Sequence, residues 1–155
     1  MNEQEQIKLR PLVAAWSDGV GLDQAMALAE QFRYLLPRRI TNAQLSGLNG
    51  VVQAAANLGQ VVEFAKHQGK RAESAGRLDV ADYWEDLQKA FQRVEEEAVK
   101  LTVQAGITWE APQGKKKFQP KALGKLSLWL AQEFVQHLVA HSLYLGMMGK
   151  RETST

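Results

Sequence analysis

The sequence predicts an all-α fold, a compact bundle of four long helices with one or two short ones, its last helix the most buried. Three observations carry this expectation. Apolar residues recur at three-, four- and seven-residue steps in several long segments, the period of a helix face. No alternating apolar–polar run is long enough to make a sheet. Helix boundary signals also fall where the periodic segments begin and end, at Thr41, Pro37 and Gly106.

Taken in order, residues 3–16 contain Ile7, Leu9, Leu12, Val13 and Trp16, interrupted by Pro11. Proline is tolerated in the first turn of a helix, so a short helix is expected from about Pro11. Ser17 to Gly21 reads as a turn. Leu22 to Leu36 forms a helix with Leu22, Met26, Leu28, Ala29, Phe32, Leu35 and Leu36 inward, stopped by Pro37 because the residue before proline resists helical angles. Thr41-Asn42-Ala43-Gln44 has the form of a capping box and opens a stripe of Leu45, Leu48, Val52, Ala55, Leu58, Val62 and Ala65. Gly47, Gly50 and Gly59 within it suggest close helix approach, with a kink at one of them as the alternative. Residues 68–77 read as a loop or a frayed extension. Asp79 is expected to cap an amphipathic helix of Val80, Tyr83, Trp84, Leu87, Phe91, Val94, Ala98 and Leu101 that Gly106 stops. Residues 107–120, with Pro112, Gly114 and Pro120, form the one long connection.

The final helix, Lys121 to Gly146, carries Leu123, Leu126, Leu130, Phe134, Leu138 and Leu145 on one stripe, and Leu128, Trp129, Val135, Val139 and Leu143 around the rest. A helix apolar all round belongs inside a core or a membrane. Ser127, Gln132, Glu133, Gln136, His137, His141 and Ser142 interrupt the run, so the core is the better home. A length of 155 residues suits one domain, expected over 1–150 with a disordered tail at 151–155. The absence of cysteine removes disulfides, thiolate metal sites and cysteine nucleophiles. The polar start MNEQEQIKLR offers no apolar export segment, which points to the cytoplasm.

The formal charge of +2 is too small to announce a nucleic-acid partner, but its distribution is uneven. Asp79, Asp82, Glu85, Asp86, Glu95, Glu96 and Glu97 crowd one helix. Cations gather at Arg38–Arg39, at Lys66, Lys70, Arg71 and Arg77, and at Lys115, Lys116, Lys117, Lys121 and Lys125. Lysine binds phosphate as a point charge, and a guanidinium pair just before a helix N-terminus is a sensible anion seat. Glu133, His137 and His141, four residues apart, project from one helix face. That spacing suits a metal or a proton relay, or more plainly a polar strip where the helix meets solvent or a partner. No Glu-x-x-His motif on a second helix accompanies it, and no histidine sits by a nucleophile elbow or Gly-rich loop. No catalytic residue, metal site or cofactor is expected. Trp16, Trp84 and Trp129 lie at core spacings, whereas Trp109 and Phe118, flanking the lysine run, are the candidates for stacking or partner contact.

Two stretches resemble a known family. ITNAQL at Ile40–Leu45, opening a long helix, is similar to the start of the main helix in the small all-helical subunit of type III CRISPR effector complexes. Phe134 to Gly146 resembles that family's final helix, especially Val139-Ala140, Tyr144 and Gly146. Ser46 stands where the family commonly has a basic residue, and His141-Ser142-Leu143 where a Tyr-His-Lys run is common, so no nucleic-acid contact is carried over to those two places. The resemblance implies a non-catalytic subunit of a ribonucleoprotein of antiviral defence. Copies of it would stack along a filament beside other subunits, holding the guide RNA and target RNA by their backbones. On that reading Arg38, Arg39, Lys66, Lys70, Arg71, Lys115, Lys116, Lys117 and Lys121 contact phosphates, and the acidic helix faces a neighbouring protein. The alternative is a helical adaptor that binds only protein, docking through its last helix.

Overall fold

The computed structural model describes residues 1–109 and 121–153, with side chains through Lys150. Six α-helices follow in order: α1 Glu3–Trp16, α2 Leu22–Gln31, α3 Asn42–Ala54, α4 Leu58–Ser74, α5 Leu78–Gln104 and α6 Lys121–Thr153. No strand occurs among the described residues. The all-α bundle expected from periodicity is the fold observed. Helix α6 runs up its middle, packed against α2, α3, α4 and α5 and against the short turns beside α2. Leu126, Leu130, Ala131, Phe134, Val135 and Leu138 on it are fully buried. The helix runs on to Thr153, beyond the point at which a disordered tail was expected.

The first helix starts eight residues before Pro11. Asn2 accepts from the Glu5 amide at 2.8 Å while the Glu5 carboxylate accepts from the Asn2 amide at 3.0 Å, so a capping box starts the helix. Pro11 then lies inside α1 on an exposed face, where its missing N–H leaves a carbonyl open to water. The expected turn at Ser17–Gly21 is a π-helical turn that joins α1 to α2 without leaving helical angles. Its reason lies in the spacing of the buried face. Leu9, Val13, Ser17, Gly21, Ala25 and Ala29 are all buried and each four residues apart. In a regular helix such a series drifts by about 40° per step and would rotate off the core; one wider turn takes up part of the drift.

Helix α2 ends at Gln31, earlier than Leu36, and a 3-10 turn, Arg33–Leu35, follows before the bend at Pro37. The capping box at Thr41 is present, with Thr41 Oγ1 accepting from the Gln44 amide at 3.2 Å and Gln44 Oε1 from the Thr41 amide at 3.0 Å. The long stripe that follows is two helices. Ala55 turns extended and Asn57 starts α4 afresh by accepting from the Gln60 amide at 3.0 Å. The break therefore falls at a new N-cap rather than at a glycine. Of the two readings of residues 68–77, a loop or an extension of the preceding helix, the extension is the one seen, with α4 running to Ser74. Gly76 and Gly106 both adopt positive φ and close Schellman motifs that end α4 and α5. Asp79 lies inside the first turn of α5, after the N-cap Arg77, and its carboxylate is held by Arg39.

Close approach is made by other glycines than expected. A Cβ on Gly47 or Gly50 would meet nothing within 4 Å, and one on Gly59 only the Asn57 side chain. A Cβ on Gly21 would sit 2.8 Å from the buried Trp16 ring, and one on Gly146 would sit 3.2 Å from Pro37 Cβ. Gly21→Ala is therefore expected to destabilise the fold by about 1–3 kcal/mol through overpacking. Gly47→Ala, at an open helical position, should stabilise it by about 0.5–1 kcal/mol. Urea midpoints of the two variants check both signs, and a stabilised Gly21→Ala would contradict the packing described.

Candidate nucleic-acid interface

The residues 36–40 turn is where sequence and packing first bring cations together. Leu35 and Ile40 are fully buried, and the amides of Arg39 and Ile40 both donate to the Leu35 carbonyl at 2.9 Å. This tight return throws Arg38 and Arg39 outward. Gly146 and Gly149 of α6 lie against Pro37 and Leu36, so the last turns of α6 flank the same bend. The result is a groove of about 590 Å³ whose walls include Arg33, Tyr34, Arg38, Arg39, Glu30 and Lys150. Tyr34 is 67% exposed within it, although its ring stacks at 6.5 Å on the buried Phe32. A ring fixed at its base and open on its outer side, among four cations, is the arrangement that single-stranded nucleic acid uses: phosphate on cation and base on ring.

The cations are not equivalent. The Arg39 guanidinium grips Asp79 with both terminal nitrogens, Nη2 to Oδ1 at 2.7 Å, which ties the bend to the start of α5. An anion would have to share it with Asp79. Arg33 lies 3.8 Å from Glu30. Arg38 is exposed and has no carboxylate at ion-pair distance among the described residues.

Of the other expected contacts, Lys66 is exposed on α4 and lies 3.8 Å from Glu63. Lys70 and Arg71 border a shallow hollow with His67, and Arg71 also reaches a second groove that includes Arg77. Arg77 is two residues from Asp79, so the Arg39–Asp79 pair links the two basic regions. Lys121 is exposed at the far end of α6, about 38 Å along the helix axis from Gly146 at 1.5 Å per residue. It cannot share a local site with Arg38. Lys115, Lys116, Lys117 and Phe118 lie outside the described residues. Sequence reasoning passed over Tyr34 and Arg33; both sit in a stretch whose apolar neighbours, Phe32, Leu35 and Leu36, made it read as core.

Trp109, named for stacking, is half-buried, and its indole Nε1 donates to the Glu5 carboxylate of α1. Hydrogen bonds from the Asn2 backbone and then from Trp109 hold the Glu5 pKa below the usual carboxylate range. The acidic helix also serves its own chain: Asp79 binds Arg39, Asp86 accepts from Gln31 at 3.1 Å, and Glu97 pairs with Lys100 at 3.2 Å. Asp82, Glu85, Glu95 and Glu96 remain exposed on it.

Glu133, His137 and His141 do share a face, half-buried, and it meets the chain's own π-helical turn and α2. Ser17 Oγ, in the π-helical turn, lies 3.1 Å from Glu133 Oε2 and 2.9 Å from His137 Nε2. With the hydroxyl donating to the carboxylate, it accepts from an Nε2–H tautomer of His137, and the three groups form one hydrogen-bonded chain. His141 Nε2 lies 3.2 Å from Glu30 Oε1 and its ring stacks on Tyr144. No group of three side chains suited to a metal occurs among the described residues. No described helix is long and apolar enough to cross a membrane.

The outer face of the last turns of α6 departs from the expected all-round burial. Ala140, Leu143, Tyr144 and Met147 form an exposed stripe, because α2, α3 and the Pro37 bend cover only the other sides. No family model, curated protein or solved structure matches the chain.

Because the folded-state pKa of Glu5 is lowered, its link to Trp109 should persist as pH falls through the ordinary glutamate range and be lost only below it. The Trp109 fluorescence should report that acid transition, and Glu5→Gln, which keeps the acceptor oxygen but not the titration, should remove it. An unchanged transition in Glu5→Gln would assign the signal elsewhere.

Proposed function

We propose that this chain is a non-catalytic, RNA-binding assembly subunit of a cytoplasmic ribonucleoprotein, of the kind formed by the small subunit of type III CRISPR effector complexes. The observation that carries the reading is the groove at the Pro37 bend, where Tyr34 stands exposed among Arg33, Arg38, Arg39 and Lys150. The ITNAQL helix start and the closing Phe134–Gly146 stretch support the family assignment; Leu145 of the second lines this groove, and Ala43 and Gln44 of the first line the neighbouring one. The groove binds guide or target RNA through phosphates and one stacked base. Lys66, Lys70 and Arg71 extend the track along α4, while Lys121 serves a separate contact at the other end of the subunit. Copies of the chain and other subunits pack against the exposed acidic residues of α5.

Affinity for a single-stranded RNA should fall steeply with salt and depend little on sequence. In a polarisation titration, Arg38→Ala should reduce the slope of log affinity against log salt by roughly one phosphate's worth, while Tyr34→Ala should cost about 1–3 kcal/mol. Lys121→Ala should leave the affinity of a short oligonucleotide unchanged, since it lies too far from the groove. Wild-type affinity and salt slope retained in both groove variants would exclude the groove.

The stripe of Ala140, Leu143, Tyr144 and Met147 favours a second reading, a helical adaptor that binds protein alone. The two separate on one comparison. An adaptor keeps its partners after nuclease digestion and loses them in Tyr144→Glu, whereas the RNA-binding subunit responds to digestion and to changes at Tyr34 and Arg38.

A further inference from the structure

The basic concavities of this surface adjoin one another through shared residues. Arg38 and Arg39 stand in the groove at the Pro37 bend, and Arg71 and Arg77 in the groove of about 510 Å³ between α3, α4 and the start of α5. Arg71 stands again in the hollow with His67 and Lys70. Between the first groove and the second lies one ion pair: Arg39 lines the first, Arg77 lines the second, and Asp79, two residues beyond Arg77, sits in the fork of Arg39. Among the described residues no carboxylate lines the second groove or the hollow. Glu30, in the first, lies 3.8 Å from Arg33 and 3.2 Å from His141.

The Asp79 carboxylate holds a position suited to a phosphate. Arg39 donates to both of its oxygens, Nη1 to Oδ2 and Nη2 to Oδ1, and Oδ1 also accepts from the Val80 amide at 2.9 Å in the first turn of α5. A planar guanidinium fork joined by a backbone N–H is a donor set that phosphate also takes. The pair is open to water, with the Arg39 side chain 49% exposed and that of Asp79 27%. Such a pair contributes little to stability, so one anion can be exchanged for another there. A lone phosphate would compete with a carboxylate tethered in place. A phosphate whose neighbours in a strand are held on both sides does not compete alone. We propose that the two grooves form one surface for a strand of successive phosphates, running from Arg38 across Arg39 to Arg77 and Arg71, and that Asp79 keeps the middle position until the strand displaces it. The strand is RNA, which rests on the RNA-binding reading above, or a polyphosphate, which does not.

Calorimetric titration of the full chain with a uridine oligonucleotide of roughly 12 nucleotides, and separately with inorganic polyphosphate, tests this. Arg38→Ala and Arg77→Ala should each weaken the oligonucleotide and lower its salt slope by about one phosphate's worth. Asp79→Asn should tighten it about threefold, the share of one exposed ion pair, and the gain should vanish in the Arg39→Ala background. Glu96→Gln removes the same charge further along α5 and should leave the affinity unchanged. Asp79→Ser, which keeps an oxygen for the α5 amide, repeats the test should Asp79→Asn lower the melting temperature. An oligonucleotide that depends on Tyr34 and Arg38 but ignores Arg77→Ala and Asp79→Asn would overturn the shared surface and leave the first groove's reading standing. A gain in Asp79→Asn that persists with Arg39→Ala would reduce Asp79 to a repelling charge and overturn the displacement. Should no RNA bind, polyphosphate decides. The same dependence on Arg77, Arg39 and Asp79 would keep the surface and remove RNA as its ligand, and no binding would overturn the proposal.

Discussion

The packing of α6 through the middle of the bundle is the constraint from which the other features follow. One helix contributes Leu126, Leu130, Phe134, Val135 and Leu138 to a core shared with α2, α3 and α5. Burial of side chains of this size contributes roughly 1.5–3 kcal/mol each, so no other element can move far without exposing them. Phe134 against Phe91, ring centroids 6.4 Å apart, fixes α6 on α5. On the opposite side the α1–α2 helix settles on α6 through small residues, and the π-helical turn keeps those residues pointing inward.

Polar groups decide where α6 stops sliding. Ser17, buried and hydrogen-bonded to both Glu133 and His137, ties the π-helical turn to α6, and parting the two helices there would strand a buried hydroxyl. Gly146 on Pro37 does the same by shape, at the other end of the contact. These two pins determine that Lys150 arrives beside Arg33, Tyr34 and Arg38. The basic groove is thus a by-product of core register. Its cations come from separate elements, and the Arg39–Asp79 pair couples it to α5 and so to the neighbouring groove at Arg77.

The unequal availability of the cations matters more than their number. Arg39 and Lys66 have carboxylates beside them, which lowers what they offer a phosphate; among the described residues Arg38, Arg71 and Arg77 do not. Tyr34 gains its position from Phe32, which anchors the short 3-10 turn in the core while the ring two residues on faces water.

Much of the helical plan was legible because it is set locally. The Thr41–Gln44 capping box, the stop at Gly106 and the periodic stripe of α5 depend on residues within a few positions of one another, and each acts as read. The break at Ala55–Asn57 was hidden because the apolar stripe continues across it, and a new N-cap is worth only about 1 kcal/mol against that signal. The four-residue spacing from Leu9 to Ala29 was visible but is ambiguous until a partner helix shows that every member must face inward. Candidate cations could be named one by one. Which of them meet, which are neutralised by Asp79 or Glu63, and which lie a helix length apart are consequences of chain reversal at Pro37 and the seat of α6. Composition and period thus determined the helices; tertiary packing decided the grooves, because a groove is formed by residues that only the core brings together.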